Sequence, residues 1–176
     1  MVSSRNEQIE ILRNAIEMEI DGKEFFTEMA NRAEHPNARK MYDSLALQEQ
    51  RHIEVLNEEL SRLEKGSGWI SPSSVKSDSK DTPSDSVFRG KSRSNLTMDP
   101  KAGELDAIKL GIEIEKRSIE YYREAGTEVK GIKAKEVFNW LVGEEAGHLT
   151  ILRAEYDHRA RSGFYFDTPE FSLEVM

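Results

Sequence analysis

Three features of this 176-residue chain predict an all-α protein, an antiparallel four-helix bundle of two repeated helical hairpins with one long crossover. Apolar residues recur at helical spacing in two separate blocks. The blocks match each other at a single gapless offset of 96 residues, and between them lies a serine-rich stretch without periodicity.

The first helix is expected over residues 4–33, where Ile9, Leu12, Ile16, Ile20 and Phe26 recur at helical spacing. Ser4 followed by Glu7 forms a capping-box pattern at its start. His35-Pro36 breaks the pattern, and His35 is expected to be exposed at that turn. A second helix then runs to about Lys65, with Gly66 as its stop. Residues 66–100 hold ten serines and three of the five prolines, and read as a long, partly disordered connection. Asp99-Pro100 has the form of an N-cap followed by proline at the first helical position. A third helix is expected from 101 to about Thr127, and a fourth from about Ile132 to Ser162, closed by Gly163. The aromatic tail, residues 163–176, is expected to pack on the body of a single domain spanning 1–176.

The repeat is close. It aligns Ile16 with Ile112, Glu17 with Glu113, Glu19 with Glu115, and Phe25-Phe26 with Tyr121-Tyr122. It also aligns Tyr42 with Phe138, Leu45 with Leu141 and Leu56 with Leu152. A helix of about 30 residues is roughly 45 Å long. An extended chain covers roughly 3.3 Å per residue, so the 35-residue connection spans that length with slack. Two such hairpins therefore pack as a four-helix bundle with one crossover.

Composition excludes several classes of function. The net charge of −8 argues against nucleic-acid or membrane-surface partners, which select basic patches. No apolar run approaches a membrane span, and the first residues lack a secretory pattern, so a cytoplasmic protein is expected. The absence of cysteine removes disulfides, thiolate metal sites, iron–sulfur clusters and cysteine nucleophiles from these 176 residues. A metal site here must be built from oxygen and imidazole ligands.

Such a site is visible in the pattern. Inward heptad positions of the second helix are Tyr42, Leu45, Glu49, His52, Leu56 and Leu63. Those of the fourth are Phe138, Leu141, Glu145, His148 and Leu152. Glu and His thus stand where a core residue is expected. Glu19 interrupts the apolar stripe of the first helix between Ile16 and Phe26, and Glu115 that of the third between Ile112 and Tyr122. The six side chains should converge at one level of the bundle. Unpaired buried charges cost several kcal/mol or more. Two divalent cations would balance four carboxylates and use both imidazoles as neutral ligands. Within each Glu-x-x-His the i, i+3 spacing puts both groups on one helix face. One Glu from each of two helices plus a Glu-x-x-His from each of the others is a dinuclear carboxylate arrangement.

On these residues the chain resembles the ferritin-like, rubrerythrin-type diiron-carboxylate proteins, over both hairpins and roughly 125 of 176 residues. The matching residues are Glu19, Glu49, His52, Glu115, Glu145 and His148. The resemblance implies that Glu49 and Glu145 bridge two irons, that Glu19 and Glu115 are terminal ligands, and that each metal takes one histidine. It implies an oxidoreductase reducing hydrogen peroxide or dioxygen. There are two departures. Rubrerythrins proper carry a further glutamate three residues after the third-helix ligand, where this chain has Ser118. They also commonly append a cysteine-ligated rubredoxin domain, so electrons must here come from an external donor protein. A homodimer is expected. Manganese or zinc also suit these ligands. The same site is open to iron oxidation for storage, or to a metal-stabilised interaction module using the serine-rich link and the tail.

Other residues are read more plainly. Glu155 precedes His158 by three, but its repeat partner Glu59 is followed by Arg62, so the pair is taken as a solvated helix end. Tyr122 is expected to pack in the core, with a role behind the ligands as the sharper possibility. Trp69 and Trp140 are expected only to pack.

Overall fold

The computed structural model describes residues 3–75 and 103–160, and the backbone of 164–165 and 168–169. Among the described residues there are four α-helices, α1 (Arg5–Arg32), α2 (Pro36–Glu64), α3 (Glu104–Glu128) and α4 (Ile132–Ala160). α1 packs along α2 and α3 along α4, and α1 meets α3 across the middle. This is the four-helix bundle of two hairpins that the repeat implies.

The helix ends follow local chemistry. Ser4 and Glu7 close a reciprocal capping box on α1. α2 opens with Pro36 in its first turn, and the His35 imidazole accepts from the Asn37 amide at 3.2 Å; His35 is exposed. At the C-terminus of α2, Gly66 adopts φ +81°, which a side chain would disfavour. There the Ser67 amide reaches back to the Arg62 carbonyl at 2.8 Å, giving a glycine-closed helix stop.

Two expectations need correction. The third helix begins at Glu104, not 101, with Gly103 as N-cap and no side-chain capping bond. Glu104 and Asp106 supply the negative charge that favours a helix start, while Asp99 and Pro100 lie outside the described residues. The start of the crossover is also better anchored than its composition suggests. Trp69 donates to Gln8 at 3.1 Å, Ser71 to Glu136 at 3.0 Å, and Arg51 to the Val75 carbonyl at 2.6 Å. Residues 66–75 thus lie fastened across α1, α2 and α4. Of the tail, only a two-residue antiparallel pairing is described, Phe164 opposite Pro169 and Tyr165 opposite Thr168. Its side chains, and so its packing, lie outside the described residues.

The core comes in two apolar blocks. One gathers Leu12, Ala15, Leu56, Tyr122, Phe138 and Leu141. The other gathers Phe26, Met29, Tyr42, Leu45, Ile108 and Leu152. Each fully buried side chain of this size contributes roughly 1.5–3 kcal/mol. Gly111 brings α3 close to α1, since a Cβ there would stand 3.1 Å from the Phe25 ring. Every helix runs from one block to the other, and each carries a polar residue between them.

Candidate metal centre

Those polar residues are Glu19 on α1, Glu49 and His52 on α2, Glu115 on α3, and Glu145 and His148 on α4. All six are buried, none more than 3% exposed. The structure therefore brings the six side chains singled out by the sequence into one layer, sealed on both sides by apolar packing.

Their geometry divides into two interlocking sets. His52 Nδ1 lies 3.1 Å from Glu19 Oε2, 3.1 Å from Glu49 Oε2 and 3.2 Å from Glu145 Oε1. His148 Nδ1 lies 2.9 Å from Glu145 Oε2, 3.1 Å from Glu49 Oε1 and 3.6 Å from Glu115 Oε1. Glu19, Glu49, His52 and Glu145 thus present four donor atoms within 4.8 Å of one another, and so do Glu49, Glu115, Glu145 and His148. Glu49 and Glu145 belong to both sets, one oxygen facing each histidine. The two imidazoles stack at 5.5 Å with 20° between their planes.

The electrostatics are severe. Burial, helped by the charges of Glu145 and Glu49, holds the Glu19 and Glu115 carboxyls well above the usual carboxylate range. Burial also opposes charge on Glu49 and Glu145, but Glu19 beside the first, Glu115 beside the second and both imidazoles beside each outweigh it and hold these two low. The imidazoles are raised against their own burial by the surrounding carboxylates, His148 to about 12. The protein's own groups therefore reach neutrality only by sharing protons. Even so, both oxygens of Glu145, Glu115 Oε1 and His148 Nδ1 are buried without a well-formed hydrogen bond. Orphaned buried polar atoms are costly. Two divalent cations would answer this need: they would satisfy the orphaned atoms and match the charge, and they suit a set of oxygen and imidazole donors. The cluster is able to hold metal.

Around it the repeat is not symmetric. The Tyr122 hydroxyl donates to Glu19 Oε1, so this fully buried ring has a polar role as well as a packing one. Trp140 sets its ring edge-on to His52, with centroids 5.2 Å apart and planes at 89°. Ser118, where rubrerythrins proper have a further glutamate, is buried and offers no carboxylate.

Two other acids depart from expectation. Glu155 pairs with Arg159, which also bridges to Glu104, while His158 is exposed; the expected Glu155–His158 pair is replaced by an Arg-centred one. Glu59 is fully buried. Its two oxygens accept from the Ile70 amide at 3.2 and 3.3 Å, and burial raises its carboxyl to about 7. The heptad that places 45, 49, 52, 56 and 63 inward also places 59 inward, so the signal was present in the sequence.

The chain is similar to several known proteins. A family model described as Rubrerythrin matches residues 10–156. A solved hypothetical protein from Pyrococcus furiosus superposes with a TM-score of 0.65 at 23% identity, covering 90% of this chain and 93% of that one. A dodecameric thioferritin, the bacterioferritin-related protein from Bacteroides fragilis, superposes with a TM-score of 0.66 at 17% identity, covering 90% and 89%. These two show the shared fold. None of the curated proteins compared matches the chain.

Proposed function

The chain belongs to the rubrerythrin family, and from that premise we propose that its buried cluster is a non-haem diiron centre that reduces hydrogen peroxide, or dioxygen, with electrons from an external donor protein. One observation carries the reading: two four-residue donor sets share Glu49 and Glu145. A site for a single ion does not need two imidazoles facing opposite oxygens of the same two carboxylates.

When bound, two irons supply the two electrons that convert hydrogen peroxide, with two protons, to two molecules of water. The chain's own residues do the rest. Glu49 and Glu145 would be shared by the two ions, with Glu19 and His52 completing one position and Glu115 and His148 the other. The Tyr122 hydroxyl fixes the rotamer of Glu19 by donating to Oε1, which leaves Oε2 turned toward His52. The apolar blocks above and below keep bulk water from the layer. With no cysteine in these residues, no thiolate-bound carrier is at hand, and a separate donor protein is the source of electrons we propose. A second copy of the chain, in a homodimer, is the proposed assembly.

The test is anaerobic loading with ferrous iron, followed by rapid mixing with peroxide or with dioxygen. Fast oxidation by peroxide and slow oxidation by dioxygen are expected. The opposite preference, together with a large assembly on sizing such as the dodecamer of the thioferritin, would point to iron handling. A loaded protein inert to both oxidants would leave a metal-stabilised interaction module.

A further inference from the structure

The 96-residue repeat pairs the two halves of the centre residue by residue, and the ligands match: Glu19 with Glu115, Glu49 with Glu145, His52 with His148. The residues behind the ligands do not match. Tyr122, which donates to Glu19, has Phe26 as its counterpart, and a phenyl ring has nothing to donate to Glu115. Trp140, edge-on to His52, has Ser44 as its counterpart, an exposed residue on α2. Glu144 brings Oε2 to 4.0 Å from His52 Nε2, and its counterpart is Gln48. The Gln48 amide is engaged instead with the Ser44 carbonyl at 3.2 Å. All three differences favour the same half.

We infer that the two metal positions are unequal, and that the position formed by Glu19, Glu49, His52 and Glu145 binds its ion first and more tightly, with Tyr122, Trp140 and Glu144 as its positioning residues. The inference rests on the metal-centre reading above and adds an order to it. Tyr122 restricts Glu19 before an ion arrives, so less side-chain freedom is lost on binding. Trp140 limits rotation of the His52 ring. Glu144 places its negative charge on the outer side of that ring, 4.0 Å from Nε2 and beyond hydrogen-bond reach, where it favours the tautomer that carries the proton on Nε2 and leaves the Nδ1 lone pair free. Partners of this kind are worth about 10–100-fold in metal affinity. Nε2 is buried without a hydrogen bond in both rings, so on that side the two halves differ by the Glu144 charge alone, where the other half has the neutral Gln48.

Adjacent cations repel, so two binding steps in the wild type would not by themselves establish the difference. The experiment isolates each position. His148→Ala leaves the His52 position, His52→Ala leaves the His148 position, and each variant is titrated anaerobically with cobalt(II), read by calorimetry and by the cobalt absorption bands. The expected result is a dissociation constant lower in His148→Ala than in His52→Ala by about 10–100-fold. Adding Tyr122→Phe and Glu144→Gln to His148→Ala, which installs the residues of the other half, should remove most of that gap. In the wild type at one equivalent of cobalt, the paramagnetically shifted imidazole resonances should belong to His52, a readout that needs neither variant to fold. Equal constants, or shifted resonances from both histidines at one equivalent, would overturn the inference while leaving a two-metal centre intact. Failure of the wild type itself to bind cobalt would overturn the metal-centre reading and this inference with it.

Discussion

Glu49 and Glu59 lie on the same helix, ten residues apart, and both are buried, yet they occupy opposite situations. Glu59 has one backbone donor, Ile70, aimed at its oxygens, and burial keeps its proton on until about pH 7. Its needs are met within the protein. Glu49 shares its layer with three more carboxylates and two imidazoles, and the layer retains oxygens and nitrogens for which no protein group makes a well-formed hydrogen bond. Burial of an acid is therefore a poor guide to metal binding. What separates the two is the supply of donors to each oxygen: adequate at Glu59, short around Glu49.

The strongest way to break the contrast is to remove one acid of each kind. Glu49→Ala and Glu145→Ala should each lose both ions, measured as metal per chain after desalting, because each carboxylate belongs to both donor sets. Glu59→Gln should keep the wild-type stoichiometry. Metal retained by Glu49→Ala, or lost by Glu59→Gln, would erase the distinction.

A second effect is on stability. At a free ion concentration of about 1,000 times the dissociation constant, binding adds roughly 4 kcal/mol to the folded state. For a chain of this size that corresponds to roughly 8–16 °C in melting temperature. Glu59→Gln should show the same increment, and a chelator should reverse it in both proteins.

The third measurement counts protons. Glu19, Glu115, His52 and His148 all hold protons well above their ordinary values in the metal-free cluster. Loading both positions should then release close to four protons per chain into weakly buffered solution, and affinity should rise steeply with pH. Proton release near zero would contradict the electrostatic description of the layer.

The smallest effect belongs to Glu59. Its folded value of about 7 exceeds the ordinary 4.5, so the folded state holds the proton more tightly. The associated stability is fully present below about pH 4.5 and is lost as pH rises through 7. Glu59→Gln should remove that part of the slope, leaving the variant more stable than wild type above pH 7 by on the order of 1 kcal/mol. Melts of both proteins at pH 5 and pH 8 would show it, and parallel pH dependences would refute it.

The bundle and its layer of six were legible because helical periodicity and a gapless repeat are properties of the chain itself. An acid on a leucine seam is conspicuous once the seam is drawn. Glu59 was passed over because its explanation, the Ile70 amide, comes from the crossover, a stretch whose composition announces no structure. The same holds for Arg159: its pairing with both Glu155 and Glu104 joins two helices, and no local spacing encodes it. Tyr122 donating to Glu19, 103 residues earlier, is likewise a contact that exists only after the hairpins have docked.

Glu49 and Glu145 have a consequence for how the chain assembles. Each donor set takes three residues from one hairpin and a single carboxylate from the other. Neither hairpin can complete an ion's ligands alone. On the proposed reading, bound metal ties position 49 to position 145 and so restrains a loop that, in an unfolded chain, is costly to close. Small cysteine-bearing proteins achieve this restraint with a covalent bond between sulfurs. Here the fastening is coordinative and is undone by chelation or acid, so loss of metal would loosen the docking of the two hairpins before either hairpin melts.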